Sequence, residues 1–379
     1  MELHASGRKV TAAWLIAGVT GRALAQSAER GGYRVSVLDY FADRDCAESA
    51  IECRSVCATK GLRFDAKAFL REAERVAPID HSIGVVYGSG FESRPGLLGQ
   101  LVAGRELHGN SPSLIRLLKD PRQFFPLLAR LGISHPPTQT RAPARPRGWL
   151  AKETGGAGGV HIRSAAEANP TSRTYYQRIE EGRNLSVTFL ANGNRAVILG
   201  INQQWTTQAS YQFGGAVGGV SLSKSLRQDI ATRLNRLVEA TGMVGLNGLD
   251  FLLAGDRWSV LEVNPRPPAT MELYDRDYPR GLFAWHLRSC RGELPLRTTR
   301  NRSSRALAIV TAPEAWQSSE DFQFPAWCRD LPRYGLSFSA GEPVCTVHAS
   351  AATPRAAMRL VLRRQAGLAA RLSRQVVAA

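Results

Sequence analysis

Two short stretches carry the oxygen chemistry of this chain: Gly248-Leu249-Asp250-Phe251 and, after one turn, Leu261-Glu262-Val263-Asn264-Pro265-Arg266. Positions 262 and 264 are two apart on an expected strand, so their side chains project from one face, and Asp250 on the partner strand can join them. Two carboxylates and an amide oxygen suit Mg²⁺, a hard cation that bridges protein oxygens to substrate phosphates. A hundred residues upstream, Lys152 stands just before Gly155-Gly156-Ala157-Gly158-Gly159. A lysine point charge and a loop of bare amides can meet phosphate oxygens. The order is not that of a Walker loop, because the lysine precedes the glycines. These parts together describe a nucleoside triphosphate site, and the expected chemistry is activation of a carboxylate by ATP.

Such a site needs sheets to hold it. Residues 11–17 read as a strand, 22–30 as a helix stopped by Gly31-Gly32, and 33–38 as a second strand ending at Asp39. A helix over 65–77 and a strand over 83–87 continue a doubly wound parallel sheet. The glycines after the first strand do not have dinucleotide spacing. From Asn110 the character changes: residues 111–131 hold two helical segments broken at Pro121, and 141–147 form a Pro/Arg-rich connector. Strands are expected over 149–152, 160–163, 175–179, 185–191 and 195–201, with Asn192-Gly193 as a hairpin turn. A long helix over 222–241 precedes the 246–253/258–263 hairpin. Beyond residue 293 come short strands at 306–310 and 344–347 and an arginine-rich helix over 354–372.

In this order the motifs resemble the ATP-grasp superfamily: Lys119 at a helix start, Ala151-Lys152 with its glycines, Tyr176-Gln177-Arg178-Ile179-Glu180-Glu181-Gly182, and Asp250 through Arg266. The resemblance implies an α/β ATP-grasp fold. Its parts would be an N-terminal doubly wound parallel-sheet domain (1–109), a two-lobed α+β ATP-binding region (110–292, small lobe about 140–182) and a small C-terminal α/β extension (293–379). It further implies ATP and Mg²⁺ as cofactors, with Asp250, Glu262 and Asn264 on the metal. Lys119, Lys152, Gly155, Gly156, Gly158 and Gly159 would meet the phosphates, and the backbone of Gln177, Arg178 and Ile179 the adenine. Lys152 and Arg266 would be catalytic, Arg266 steadying the transferred phosphoryl group or the acyl phosphate. Many relatives hold the ribose with a glutamate shortly after the Gly182 position. Here Arg183-Asn184 stands there, so Asn184, Glu180 or Glu181 must substitute.

The implied reaction is ATP-dependent carboxylate–amine ligation through an acyl phosphate. The alternatives are biotin-carboxylase-like carboxylation through carboxyphosphate, and a basic nucleic-acid-binding or regulatory protein with a vestigial nucleotide site. The stretches 17–25 and 38–43 are similar to an ATP-grasp branch of one-carbon metabolism related to the tyramine–glutamate ligase of methanofuran biosynthesis, which implies glutamate joined to an aromatic amine or amino acid. A second glycine run, residues 214–219, reads as a crossover loop near that acceptor. Arg195, Trp205, Gly214 and Gly215 are its candidate substrate residues, with Tyr211 and Phe213 beside them.

The net charge of +17 comes from 49 basic against 32 acidic residues. The arginines are scattered and no nucleic-acid-binding signature accompanies them, which argues against a polynucleotide partner. Small amino-acid and amine substrates are the expected partners, with a homo-oligomer left open. The six cysteines do not form a disulfide framework, although Cys46, Cys53 and Cys57 are close enough in sequence for a metal to be considered. No run is long and apolar enough for a membrane span and no signal peptide is assigned, so cytoplasm is the expectation.

Overall fold

The computed structural model describes residues 12–56, 58–59, 63–207, 211–298 and 303–377. The N-terminal region is a parallel sheet in the order Glu52–Ser55, Val35–Asp39, Ala13–Ala17, Ser82–Tyr87, Leu107–His108. Its central strands are fully buried, as continuous apolar runs covered on both faces should be. Helix Arg22–Arg30 follows the first strand, and Gly32 at φ +76° turns the chain back. The sheet is tied to the segment after strand Arg257–Asn264 where its own strands end. The Tyr87 hydroxyl lies 2.8 Å from the Pro265 carbonyl and 2.9 Å from that of Asn110.

A small antiparallel sheet runs Arg163–Ser164, Trp149–Glu153, Thr174–Arg178, Thr138–Gln139. The strand expected over 160–163 is reduced to Arg163–Ser164, because residues 158–161 form a turn. A large antiparallel sheet runs Arg257–Asn264, Val244–Ala254, Arg183–Asn192, Ala196–Thr206, Phe213–Gly218, Ser304–Thr311, Pro343–Ala351, Cys328–Arg329. Helix Lys224–Thr241 covers one side. Ser223 caps its start by accepting from the Leu226 N–H, and Gly242, at φ +69°, ends it.

Two expectations are corrected by this architecture. Lys119 does not start a helix but ends Pro112–Lys119. Asp120 then caps Pro121–Arg130, whose proline sits at the first helical position, where no N–H is needed. The glycine run 214–219 is not a loop: Phe213–Gly218 is an interior strand. A Cβ on Gly215 would stand 2.4 Å from the Trp205 ring and 2.5 Å from the Leu307 carbonyl, and one on Gly218 would stand 2.9 Å from the Tyr274 hydroxyl. Glycine is required there because neighbouring rings lie on the strand. The C-terminal segment joins the large sheet, since Ser304–Thr311 pairs with Phe213–Gly218. Helix Pro354–Val377 packs on these strands, burying Ala357, Val361, Leu368 and Leu372.

No helix among the described residues is long and apolar enough to cross a membrane. The Cys46 and Cys53 sulfurs lie 3.5 Å apart, and Cys57 lies outside the described residues. No group of three or more His, Cys, Asp or Glu is placed to hold a metal among the described residues.

Candidate active site

The hairpin register sets the oxygen cluster. Asp250 faces Glu262 directly and Gly248 faces Asn264, with a bulge after Asp250. Asn264 Nδ2 donates to Asp250 Oδ2 at 3.0 Å, and Gln204 Nε2 donates to Asp250 Oδ1 at 3.0 Å. Lys119 Nζ reaches Glu262 Oε2 at 2.9 Å and Asn264 Oδ1 at 3.3 Å. The two carboxyls titrate apart. Burial and the Glu262 charge push Asp250 up to about 7 against the Gln204 hydrogen bond. Enclosure would raise Glu262 too, but Lys119, then Lys152 and His161, hold it down at about 2. Two carboxyls and an amide oxygen, with no sulfur or imidazole among them, fit a hard divalent cation.

Lys152 approaches from the small sheet. It is 7% exposed, and its Nζ donates to Gln177 Oε1 at 2.6 Å. Gln177, 1% exposed, donates in turn to Thr138 Oγ1 at 3.3 Å. Burial lowers the lysine pKa, Glu262 and Asp250 oppose the shift, and Lys119 adds to it. A cation whose direct partner is a neutral amide keeps its charge available for an incoming anion.

The glycine loop bridges three parts of the molecule. A Cβ on Gly155 would stand 2.5 Å from the Glu92 carbonyl, and one on Gly159 would stand 1.9 Å from the Tyr211 carbonyl. Gly156 lies under the His161 ring, and Gly158 O accepts from the Phe213 N–H at 3.1 Å. Between loop and hairpin remains a cavity of about 20 Å³, lined by Lys119, Gly155, Gly156, His161 and Glu262 among others. A nucleotide needs a cleft on the order of several hundred Å³, more than this space offers. A roomier cavity of about 450 Å³, lined by Asn110, Ser111, Thr241 and Gly242, contains none of these charged groups.

Arg266 is held from the N-terminal region. Its Nε donates to Glu92 Oε1 at 2.6 Å, and Glu92 Oε2 accepts from the Gly90 N–H at 2.6 Å. Glu92 is 5% exposed. Burial alone would raise its carboxyl, but Arg266 and Lys119 hold it below the usual range. Sequence reading missed Glu92, and the signal available was its place just beyond a parallel strand's carboxyl end, where such folds put ligand contacts. It missed Gln204 as well, which shares a sheet face with Asn202, Ser186 and Asp250. Asn184 lies on that face, two residues from Ser186.

The remaining candidates are distributed differently. The Arg178 and Ile179 amides donate to the Pro137 and Gly148 carbonyls, both at 2.9 Å, so they are committed inside the lobe rather than left for adenine. Glu180 is half-buried and Glu181 exposed. Arg195 is exposed at the hairpin turn, its N–H donating to Asn192 Oδ1 at 2.8 Å. That turn is six residues along the strand from Ser186, the partner of Asp250, or about 20 Å. Arg195 therefore does not reach the cluster. Trp205 packs on Gly215 and the C-terminal core, and Gly214 and Gly215 are buried in the sheet, whereas Tyr211 is exposed with its carbonyl against Gly159.

Residues 119–270 match the family model of the ATP-grasp domain. The carbamoyl phosphate synthase large chain of Rubrobacter xylanophilus is 26% identical over 215 residues, covering 50% of this chain and 20% of that protein. The chain thus spans about a fifth of that relative's length. Among solved structures, biotin carboxylase from Campylobacter jejuni, in a β,γ-ATP complex, aligns over 92% of this chain and 90% of its own at 15% identity, TM-score 0.72. The biotin carboxylase domain of Hydrogenobacter thermophilus 2-oxoglutarate carboxylase, solved with MgADP, ADP and bicarbonate, aligns over 92% and 89% at 14% identity, TM-score 0.71. These likenesses show the fold.

Proposed function

We propose that this member of the ATP-grasp superfamily is a magnesium-dependent, ADP-forming ligase. It uses ATP to phosphorylate a carboxylate-type oxygen and lets a nitrogen nucleophile displace the phosphate, forming a C–N bond. The observation that carries the reading is convergence: Asp250, Glu262, Asn264 and Lys119 meet in one hydrogen-bonded cluster, with Lys152 and the glycine loop facing it from the other lobe.

Asp250, Glu262 and Asn264 hold Mg²⁺, which neutralises triphosphate charge. Lys152 and Lys119 supply the positive charge for phosphate oxygens, and Gly155, Gly156, Gly158 and Gly159 let backbone amides close over them. A carboxylate oxygen attacks the γ-phosphorus as the bond to ADP breaks. An amine then adds to the acyl carbon, loses a proton, and phosphate leaves. Arg266, pinned by Glu92, steadies the phosphoryl and acyl phosphate oxygens. Asn184, which shares the Asp250 face, Glu180 and Glu181 are the candidates for the ribose.

Two substrate classes are in play. Bicarbonate is favoured by the ligand named in one structural neighbour. An amino-acid carboxylate joined to an aromatic amine, in methanofuran-like one-carbon cofactor synthesis, is supported by the resemblance of residues 17–25 and 38–43. It lacks support from Arg195, Trp205, Gly214 and Gly215, which lie in packing or away from the cluster. The deciding experiment is ADP release in CO₂-depleted buffer against a panel of amino acids and amines, including glutamate with tyramine, with and without added bicarbonate. Turnover with an acid–amine pair alone supports amide ligation; strict bicarbonate dependence supports carboxylation. Glu262→Ala is expected to abolish either turnover while thermal unfolding stays cooperative, and full activity in that variant would remove the metal assignment.

A further inference from the structure

Lys119 stands where the cation belongs. One ammonium engages Glu262 Oε2 and Asn264 Oδ1, at 2.9 and 3.3 Å, the side-chain oxygens that positions 262 and 264 would turn to a metal. Asn264 spends its Nδ2 on Asp250, which fixes its Oδ1 toward Lys119. Lys119 is itself 8% exposed and anchored as the last residue of its helix. The oxygen set is therefore closed by a side chain of the same protein.

A divalent cation cannot share this arrangement. Mg²⁺ sits about 2.0–2.1 Å from each oxygen ligand. An ammonium bonded to the same oxygens would face it at a few ångströms, where like charges in a low-dielectric site repel strongly. For the cation to enter, the ammonium must turn elsewhere. The adjoining space is the cavity lined by Lys119, Gly155, Gly156 and His161, on the side of the glycine loop. Nothing in that lining offers the ammonium a carboxylate other than Glu153 and Glu262. A phosphate placed there would supply the acceptors it gives up.

We infer that Lys119 is a built-in placeholder for the metal. Its ammonium keeps the Asp250/Glu262/Asn264 set closed to a bare divalent cation and releases it when a triphosphate arrives with the cation and takes the ammonium over. The inference rests on the Mg²⁺–ATP reading of the site. It assigns Lys119 a second role beside phosphate contact: it couples metal entry to nucleotide entry, so the chain takes up the metal–nucleotide complex in preference to free metal. Lys152 cannot serve this way, because its Nζ is held by Gln177 on the other lobe.

Mn²⁺ is a direct probe, since its free form is counted by electron paramagnetic resonance. The full chain would be titrated as wild type, Lys119→Met, Lys119→Gln and Glu262→Gln, with and without a non-hydrolysable ATP analogue. Wild type should bind Mn²⁺ weakly alone and at least about tenfold more tightly with the analogue. Both Lys119 variants should tighten binding of Mn²⁺ alone by about tenfold or more and weaken analogue binding by a similar factor. Lys119→Gln keeps a neutral donor to Glu262, so it carries the comparison if the methionine variant does not fold. Unchanged or weaker affinity for Mn²⁺ alone in these variants, with wild type still binding Mn²⁺–analogue in a Glu262-dependent way, overturns the placeholder and leaves the nucleotide site standing. Absence of Glu262-dependent Mn²⁺–analogue binding in wild type removes the site reading itself, and the placeholder with it.

Discussion

Two charge clusters in this molecule both gather carboxyls but pair them with different cations. Around Arg22, 2% exposed, the guanidinium donates to both oxygens of Asp330 at 2.9 Å and to both oxygens of Glu272. Asp45 accepts from the Asp330 and Leu331 N–H groups at 3.0 and 2.8 Å. That cluster ties four stretches of chain together: helix Arg22–Arg30, the short helix Arg44–Ala47, the 3-10 helix Ala269–Leu273, and the segment following Cys328–Arg329. The cluster at the hairpin uses lysines and amides instead. Lys119 reaches two oxygens and Lys152 one, and the Glu262 side chain is 36% exposed. A planar fork that fills every acceptor makes a joint, whereas a point charge on a flexible stem, held by one or two oxygens, can be exchanged.

The largest effect should come from breaking the joint. Arg22→Met strands Asp330 and Glu272 without their cation, and losing one partner of a buried pair costs about 3–5 kcal/mol. Chemical denaturation should show that loss, and a change within error would mean the cluster contributes no net stability.

Next is the exchangeable side. Lys152→Ala should lower turnover about a hundredfold, the scale of deleting one preorganised charge-stabilising group. Its melting temperature should move little, and Lys152→Arg should rescue poorly. A large stability loss with near-normal turnover would put Lys152 in the structural class with Arg22.

The smallest effect is one of pH. Cation binding needs Asp250 ionised, and its carboxyl is raised to about 7 by burial and Glu262. Affinity for the metal–nucleotide complex should be flat above that value and fall about tenfold per unit below it, as metal binding displaces the proton. For folding the sign is reversed. A carboxyl raised in the folded state favours the fold below its unfolded pKa, and that contribution is lost as pH rises toward 7. Asp250→Asn should therefore flatten the affinity profile and raise the melting temperature at pH 8 relative to wild type, with no gain near pH 4. An unshifted profile in wild type would show that burial and the Glu262 charge do not raise the Asp250 carboxyl.

What could be read beforehand follows the range of the interactions. The parallel opening, the hairpin and the pairing of Glu262 with Asn264 were legible, because strand parity and turn residues are local. Lys152 was legible because a glycine loop announces itself. Glu92 was not, since its bond to Arg266 joins residues far apart in sequence, and Gln177 read as backbone when its side chain is what holds Lys152. The run 214–219 misled for a related reason. Glycine disfavours strands by itself, and the close approach of the Trp205 and Tyr274 rings and the Leu307 carbonyl explains the choice.

The eight-stranded sheet carries a consequence for how the molecule can be divided. Phe213–Gly218 lies between Ala196–Thr206 and Ser304–Thr311, and four of its six residues are glycines or alanine, with scarcely any side chain to shield an edge. Shorn of the chain beyond Cys290, this ribbon would present bare peptide groups to other molecules, the condition under which strands recruit strangers. The C-terminal strands and their arginine-faced helix thus act as a selvedge: they finish the fabric so that the catalytic cloth does not unravel into its neighbours.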